Sequence, residues 1–176
     1  MKKNRVLPVN LIVLVILVLS TISLFNLIKP SPLMAKDFDV VLYQGREHLG
    51  NDPVSLNDLR GQPVVLNFWA GLCSTCRAEM PGFDRFYKRN MDKLIFIGVD
   101  VGPYIGLGST EDGRNLLSEL GVSYPAGFTE DGDVVLDYQI LYMPTTLFIS
   151  PKGEIVRRFE GGVGEETLER YLEEIF

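Results

Sequence analysis

Two cysteines and one histidine are all that 176 residues contain of those residue types, and that scarcity excludes a good deal. A closed structural zinc site takes four ligands. Cys73, Cys76 and His48 fall short of that count, and His48 lies in a polar stretch far along the chain from either cysteine. The disulfide frameworks that staple small secreted domains need several cysteines spread along the sequence, whereas this pair is three residues apart. The first 35 residues hold no cysteine, which excludes a lipid-modified N-terminus. Those same residues hold no acid. The chain has neither an internal repeat nor a low-complexity tract, and Trp69 is its one tryptophan.

What the first 35 residues do have is a basic start and a long apolar run. Lys2, Lys3 and Arg5 precede an uncharged stretch from Val6 to Ile28, and Lys29 follows it. As a helix that stretch would be about 34 Å long, enough to cross a bilayer. A cleaved signal peptide shares the basic start and apolar middle. The run exceeds a usual signal core, however, and Leu33-Met34-Ala35 is a poor small-x-small cleavage site. Residues 1–35 are therefore expected to be a cytoplasmic stub, a transmembrane signal-anchor at about 6–28 and a short spacer stiffened by Pro30 and Pro32. Lys2, Lys3 and Arg5 hold that end in the cytoplasm, so the domain from 36 to 176 emerges on the other side. With the leader's four basic residues set aside, 13 Lys and Arg face all 23 acids, a net charge of −10. Such a surface argues against nucleic acid and against anionic lipid as partners. Residues 36–176 suffice for one domain with its own core.

Along that domain the apolar pattern alternates between strand and helix periods. Strands are predicted near 38–43, 63–69, 94–99, 124–128, 145–150 and 154–159, the last two joined by a Pro151-Lys152-Gly153 hairpin turn. Helices are predicted from Cys73 past Pro81 to Tyr87, near 111–120 with Gly121 closing it, around 132–139, and from Glu165 to Ile175, with a single turn at Ser55–Leu59. Gly102, Gly106 and Gly108 resemble a phosphate loop only loosely, lack its Lys-Ser/Thr ending, and read as a mobile loop after a strand. Strand–helix–strand followed by a hairpin and a helix is an α/β layer fold.

The chemistry concentrates where the strand at 63–69 turns into a helix. Two cysteines three apart on a first helical turn share a face and can join without distortion. Cys73, which comes first, lies among unpaired N–H groups at the positive end of the helix dipole, an environment that favours thiolate. It is the candidate nucleophile, and Cys76, one turn inward, the resolving thiol. Glu79 is a further three residues on, on the same face. A partly buried carboxylate there would have a raised pKa and could take the Cys76 proton.

Four segments together, Val54-Ser55-Leu56-Asn57-Asp58-Leu59-Arg60-Gly61, Asn67-Phe68-Trp69-Ala70, Cys73-x-x-Cys76-x-x-Glu79 and Met143-Pro144-Thr145-Thr146, resemble the thioredoxin superfamily. Within it the resemblance is to the TlpA/ResA-like membrane-anchored thiol–disulfide oxidoreductases, over residues 37–176. It implies a thioredoxin-like fold: a central mixed β-sheet flanked by helices, here preceded by one transmembrane helix. It supports Glu79 in the proton role that a strand aspartate has in other thioredoxins, where this chain has Asn67. It implies that Pro144 is a cis-proline facing the cysteines, with Met143 bordering a groove for the substrate strand. Trp69 would pack beneath the site with a secondary part in substrate contact. No cofactor is implied beyond a redox-active Cys73–Cys76 disulfide, and no metal.

Two positions depart from the family pattern, which has Trp before the first cysteine and Pro before the second. Leu72 and Thr75 stand there. The residues between the cysteines tune the balance of thiolate and disulfide, so the direction of electron flow stays open. The leading expectation is a reductase of protein disulfides, in work such as preparing apocytochrome c cysteines for haem attachment, fed by a membrane thiol electron donor. A disulfide oxidase or isomerase and a non-catalytic thioredoxin-like binding module are the alternatives. A peroxidase fits less well, because the adjacent Cys76 suits disulfide exchange.

Overall fold

The computed structural model describes residues 31–175 together with Asn10, Val13, Leu14, Leu17 and Val18. In chain order the elements are β1 (Asp39–Gln44), the one-turn helix α1 (Arg46–Leu49), β2 (Val54–Ser55), a 3-10 turn at Leu56–Leu59, β3 (Val64–Trp69), α2 (Ser74–Asn90), β4 (Ile95–Asp100), α3 (Gly102–Ile105), α4 (Thr110–Leu120), β5 (Ala126–Phe128), α5 (Val134–Asp137), β6 (Thr145–Ile149), β7 (Ile155–Glu160) and α6 (Glu165–Ile175). The strands form one mixed sheet in the order β2-β1-β5-β4-β3-β6-β7. The strand β3 lies parallel to β4, and β4 to β5, while β6 runs antiparallel to β3 and β7 to β6. The fold is thioredoxin-like. The predicted membrane-spanning segment, Val6 to Ile28, falls almost wholly outside the described residues, and among those described no helix is long and apolar enough to cross a membrane.

Every residue of β3 and of β6 is buried, as central strands covered on both faces must be. The period of two along β3 divides its side chains between two cores. Val65 and Trp69 join Cys73, Cys76, Phe83, Phe86, Phe96, Tyr124, Phe148 and Leu168 in one cluster. Val64, Leu66 and Phe68 join Phe38, Val99, Tyr138 and Leu147 in the other. Each fully buried aromatic or aliphatic side chain contributes about 1.5–3 kcal/mol, so both faces are held firmly.

Helix α2 starts because Cys73 caps it, its sulfur accepting from the Cys76 backbone N–H at 3.1 Å, and it runs unbroken through Pro81 to Asn90. Lys88 and Arg89 in the last turn suit the negative end of the dipole. Arg85 and Arg89 then reach Glu165 and Glu169 of α6, so the two helices pack side by side on one face. Helix α4 has a capping box: Ser109 Oγ accepts from the Asp112 N–H, and Asp112 accepts from the Ser109 N–H at 2.8 Å. Gly121 closes it in the left-handed region, φ 62°, as predicted.

Three features differ from the sequence reading. The glycine-rich stretch after β4 carries the helical turn α3 rather than a plain loop. Val54 and Ser55 form a short edge strand against β1 before the expected turn. Leu33–Ala35, read as spacer, pairs with the far edge of the domain: Ile155 N–H donates to Leu33 O at 2.7 Å and Ala35 N–H to Gly153 O at 2.8 Å. One is a single short turn and the other two depend on pairing with a strand or hairpin elsewhere in the chain, and apolar periodicity registers neither.

Glycine at position 98 of β4 makes room for the tryptophan. A Cβ there would lie 2.9 Å from Trp69 Nε1 and 3.1 Å from the Tyr124 ring. Gly98→Ala is expected to cost about 1–3 kcal/mol through overpacking, read from urea unfolding, and to shift the emission of Trp69, the only tryptophan. Unchanged stability and emission would show that the indole moves aside freely.

Candidate active site

The segment joining β3 to α2 is fixed before the cysteines begin. Val101 N–H donates to Trp69 O at 3.0 Å, Leu72 N–H to Leu107 O at 2.9 Å, and Cys73 N–H to Ala70 O at 3.1 Å. Gly71 lies so close to α4 that a Cβ would be 2.6 Å from the backbone at Asp112 and Gly113. Only glycine permits that approach. The chain therefore delivers Cys73 to the helix N-terminus on a rigid support.

Cys73 and Cys76 are joined in a disulfide, with Cα atoms 5.3 Å apart. Cys73 is 8% exposed and Cys76 fully buried, so an incoming group can reach the first sulfur and not the second. Leu72, at 64% exposure, stands outward beside Cys73, and Ser74 and Thr75 are exposed as well.

Glu79 is buried beneath them. Its Oε2 accepts from the Val163 backbone N–H at 3.0 Å and its Oε1 from Asn67 Nδ2 at 3.3 Å. The same Nδ2 donates to Thr146 Oγ1 at 3.0 Å. Burial pushes the Glu79 carboxyl up from an ordinary 4.5 to about 8, against the opposing pull of those two hydrogen bonds. Asn67 Oδ1 finds no donor among the described residues.

The Met143–Pro144 peptide bond is cis. Pro144 O accepts from Gly161 N–H at 2.8 Å, and the next residue, Gly162, lies against Thr75: a Cβ on it would be 3.0 Å from the Thr75 methyl. The 161–163 loop thus links the proline segment to the cysteine helix. Met143 is half-buried and packs on the cluster that contains both cysteines. Trp69 belongs to that cluster too, but it is fully buried. Its side chain offers no surface to a partner here, which leaves packing beneath the site as its part and not substrate contact.

A second buried acid went unremarked in the sequence. Asp100 ends β4 directly opposite Trp69, accepts from Gly102 N–H at 2.9 Å and from the Tyr43 hydroxyl at 3.2 Å, and is raised to about 6 by burial. Its carboxylate presses on Gly113, where a Cβ would be 2.2 Å away. An acid closing an apolar run was the available signal. Asp100 braces α3 and α4; α4 backs Gly71, and Leu107, between the two helices, holds Leu72. Among the described residues no group of three or more His, Cys, Asp or Glu side chains is placed to hold a metal ion.

Residues 33–158 match the AhpC/TSA family. The chain belongs to that family. Within it the similarity is to ResA-type proteins. The thiol-disulfide oxidoreductase ResA of Oceanobacillus iheyensis is 35% identical over 142 residues, 78% of this chain and 69% of that protein. The thioredoxin-like protein YneN of Bacillus subtilis is 30% identical over 125 residues, 71% of this chain and 72% of that one. Among solved structures, the pneumococcal exposed lipoprotein thioredoxin of Streptococcus pneumoniae is 26% identical and superposes with a TM-score of 0.68 over 80% of this chain and all of that one. This ResA-like chain is a thiol–disulfide oxidoreductase with a thioredoxin-like domain.

The raised Glu79 sets a pH dependence whose sign is fixed. Below pH 4.5 the carboxyl is protonated folded or unfolded and costs nothing. Between 4.5 and about 8 the unfolded chain ionises while the folded one keeps its proton, so stability falls as pH rises, and above about 8 the loss is complete. Glu79→Gln lacks this loss. Its stability relative to wild type should climb steadily between pH 5 and 8 in urea titrations. A difference independent of pH would mean that the carboxyl ionises normally.

Proposed function

We propose that this chain reduces disulfides of extracytoplasmic proteins while tethered to the outer face of the cytoplasmic membrane by residues 6–28. The observation that carries the reading is a cysteine pair at a helix N-terminus, the first slightly accessible and the second fully buried, with a proton-holding carboxyl on the same helix. Cys73, Cys76 and Glu79 act in sequence. The Cys73 thiolate attacks one sulfur of the substrate disulfide, forming a mixed disulfide and releasing the other substrate sulfur as thiolate. Cys76 gives its proton to Glu79, and the new thiolate attacks Cys73 Sγ, closing Cys73–Cys76 and releasing the second substrate thiolate. Two electrons pass from the cysteine pair to the substrate. A Glu79 protonated at neutral pH is the state this sequence leaves behind in the disulfide form.

A protonated Glu79 needs an acceptor. Half a turn of the Asn67 amide would bring Oδ1 to the place of Nδ2, where it can accept from Glu79 and from the Thr146 hydroxyl together. Asn67 then serves either ionisation state of the acid. Met143 and Pro144 border the groove for the substrate strand. No cofactor beyond the cysteine pair takes part. Electrons return from a membrane thiol donor, and the haem-attachment cysteines of apocytochrome c are a fitting substrate class by resemblance. The basic Lys2, Lys3 and Arg5 ahead of an acid-free apolar run support the tether and its orientation.

Trapping tests the reading. Cys76→Ser should accumulate a mixed disulfide on Cys73 with an extracytoplasmic protein, identifiable by mass, while Cys73→Ser traps nothing. Equal trapping by both variants, or a reduction potential near the strongly oxidising value of about −120 mV, would overturn the reductase direction.

A further inference from the structure

The segment that leads into Pro144 is held from Tyr138 to Ile140, which is buried and donates its N–H to Val135 O at 2.9 Å, and again at its far end, with two exposed residues between. Its start is Tyr138, whose ring is buried against Phe38 and Phe68, with centroids 5.5 and 5.1 Å away. Gln139 follows in the left-handed region at φ 49°, the only residue other than glycine with positive φ among those described. At the far end Thr145 Oγ1 donates to Tyr142 O at 2.7 Å. Between these points Leu141 is 77% exposed and Tyr142 61%, immediately before the Met143–Pro144 bond.

One side chain sets the direction of this segment. Arg158 of β7 donates from Nη1 to Tyr138 O and from Nη2 to Gln139 O, each at 2.7 Å, while Nε donates to Glu160 at 2.9 Å. The two carbonyls flank the left-handed residue. A planar guanidinium that holds both of them fixes the peptide planes on either side of Gln139. Lysine, a single point donor, cannot span them. Register supports the same link, because Arg158 pairs with Leu147 of β6, the strand that begins right after Pro144.

We propose that Arg158 is a positioning residue that sets the course of Leu141–Tyr142–Met143 and thereby selects which disulfides the site accepts. The partners favoured are proteins that present apolar side chains next to their disulfide, since the segment held in place offers Leu141 and Tyr142 to them and Leu72 stands exposed beside Cys73. This rests on the disulfide-exchange reading given above. Arg158 touches no sulfur and takes no part in the chemical step. Its effect is on how the partner's disulfide is presented.

The test compares two oxidants of the pre-reduced, full-length protein: insulin, which must dock, and bis(2-hydroxyethyl) disulfide, which need not. Arg158→Ala is expected to slow reaction with insulin by about tenfold, through weaker binding, with the small disulfide within about twofold of wild type. Arg158→Lys should fall between. The equilibrium constant with glutathione should not move. Amide hydrogen exchange at Gln139 and Ile140, whose N–H groups donate to Leu136 O and Val135 O, should quicken by about tenfold or more in Arg158→Ala with the strands unchanged. Equal slowing with both oxidants, an altered glutathione equilibrium, or unchanged exchange at Gln139 and Ile140 would overturn the proposal. If wild type reduces neither oxidant, it is the disulfide-exchange reading that fails, and the exchange measurement still decides whether Arg158 holds the segment.

Discussion

A carboxyl group shut away from water under a disulfide is the constraint on which the rest of the site depends. Among the described residues no cation pairs with Glu79. Its partners are the Val163 N–H and the Asn67 amide, and burial outweighs both, so the group keeps its proton to about pH 8. Burying an acid without a counter-ion is costly, and the cost constrains everything around it. The Asn67 amide must come from β3, the Val163 N–H from the loop after β7, and Thr146 from β6 must complete the amide's bonding. Four parts of the chain thus converge on one acid, which keeps the cysteine helix, the central strands and the 161–163 loop in register.

The two-sided sheet makes that convergence possible. Alternation along β3 sends Trp69 to the core beneath the cysteines and Phe68 to the opposite core, which holds Tyr138. The disulfide sits in the first cluster and Tyr138 and Ile140 anchor the segment before Pro144 in the second, while Met143, at the end of that segment, packs on both. The polar links between them are few: Gly161 to Pro144, and Asn67 to Thr146. In such an arrangement a rigid sulfur centre can coexist with an adaptable rim, the usual division between scaffold and recognition loop.

Much of this was legible in the residues. The strand–helix junction at Trp69–Cys73, the spacing of Cys73, Cys76 and Glu79 on one face, and a proline opening a strand at 144 all follow from local rules of period and turn chemistry. What escaped was non-local. Asn67 read as a residue that cannot titrate; that it bonds Thr146, seventy-nine positions on, is a consequence of β6 lying beside β3. Asp100 went unremarked, because its partners come from β1 and from the turn after it. Arg158 drew no reading at all, because nothing in the period of β7 reveals two backbone carbonyls some twenty positions earlier. Leu33–Ala35 carries no strand signal at all and is ordered by the edge it meets.

Leu72 and Thr75, the two departures from the family pattern, can now be placed physically. Both side chains are exposed, so neither alters the buried network that sets the Glu79 proton. Their influence must act at the mouth of the site. Leu72 puts a flexible aliphatic group where the pattern has a flat aromatic one beside the nucleophile, and it lies against Gly108, where a Cβ would be 3.1 Å from its Cγ. Thr75 keeps a backbone N–H that proline would remove, in the first turn of α2, where unpaired N–H groups favour a thiolate. The backbone N–H that bonds Cys73 Sγ is that of Cys76, one residue beyond Thr75, so a residue at 75 that keeps its own N–H leaves the first turn with its full set of donors. Leu72 adds an exposed apolar side chain next to Cys73 in the chain. The two replacements therefore differ in kind, one in the backbone of the first turn and the other in the surface around the first cysteine.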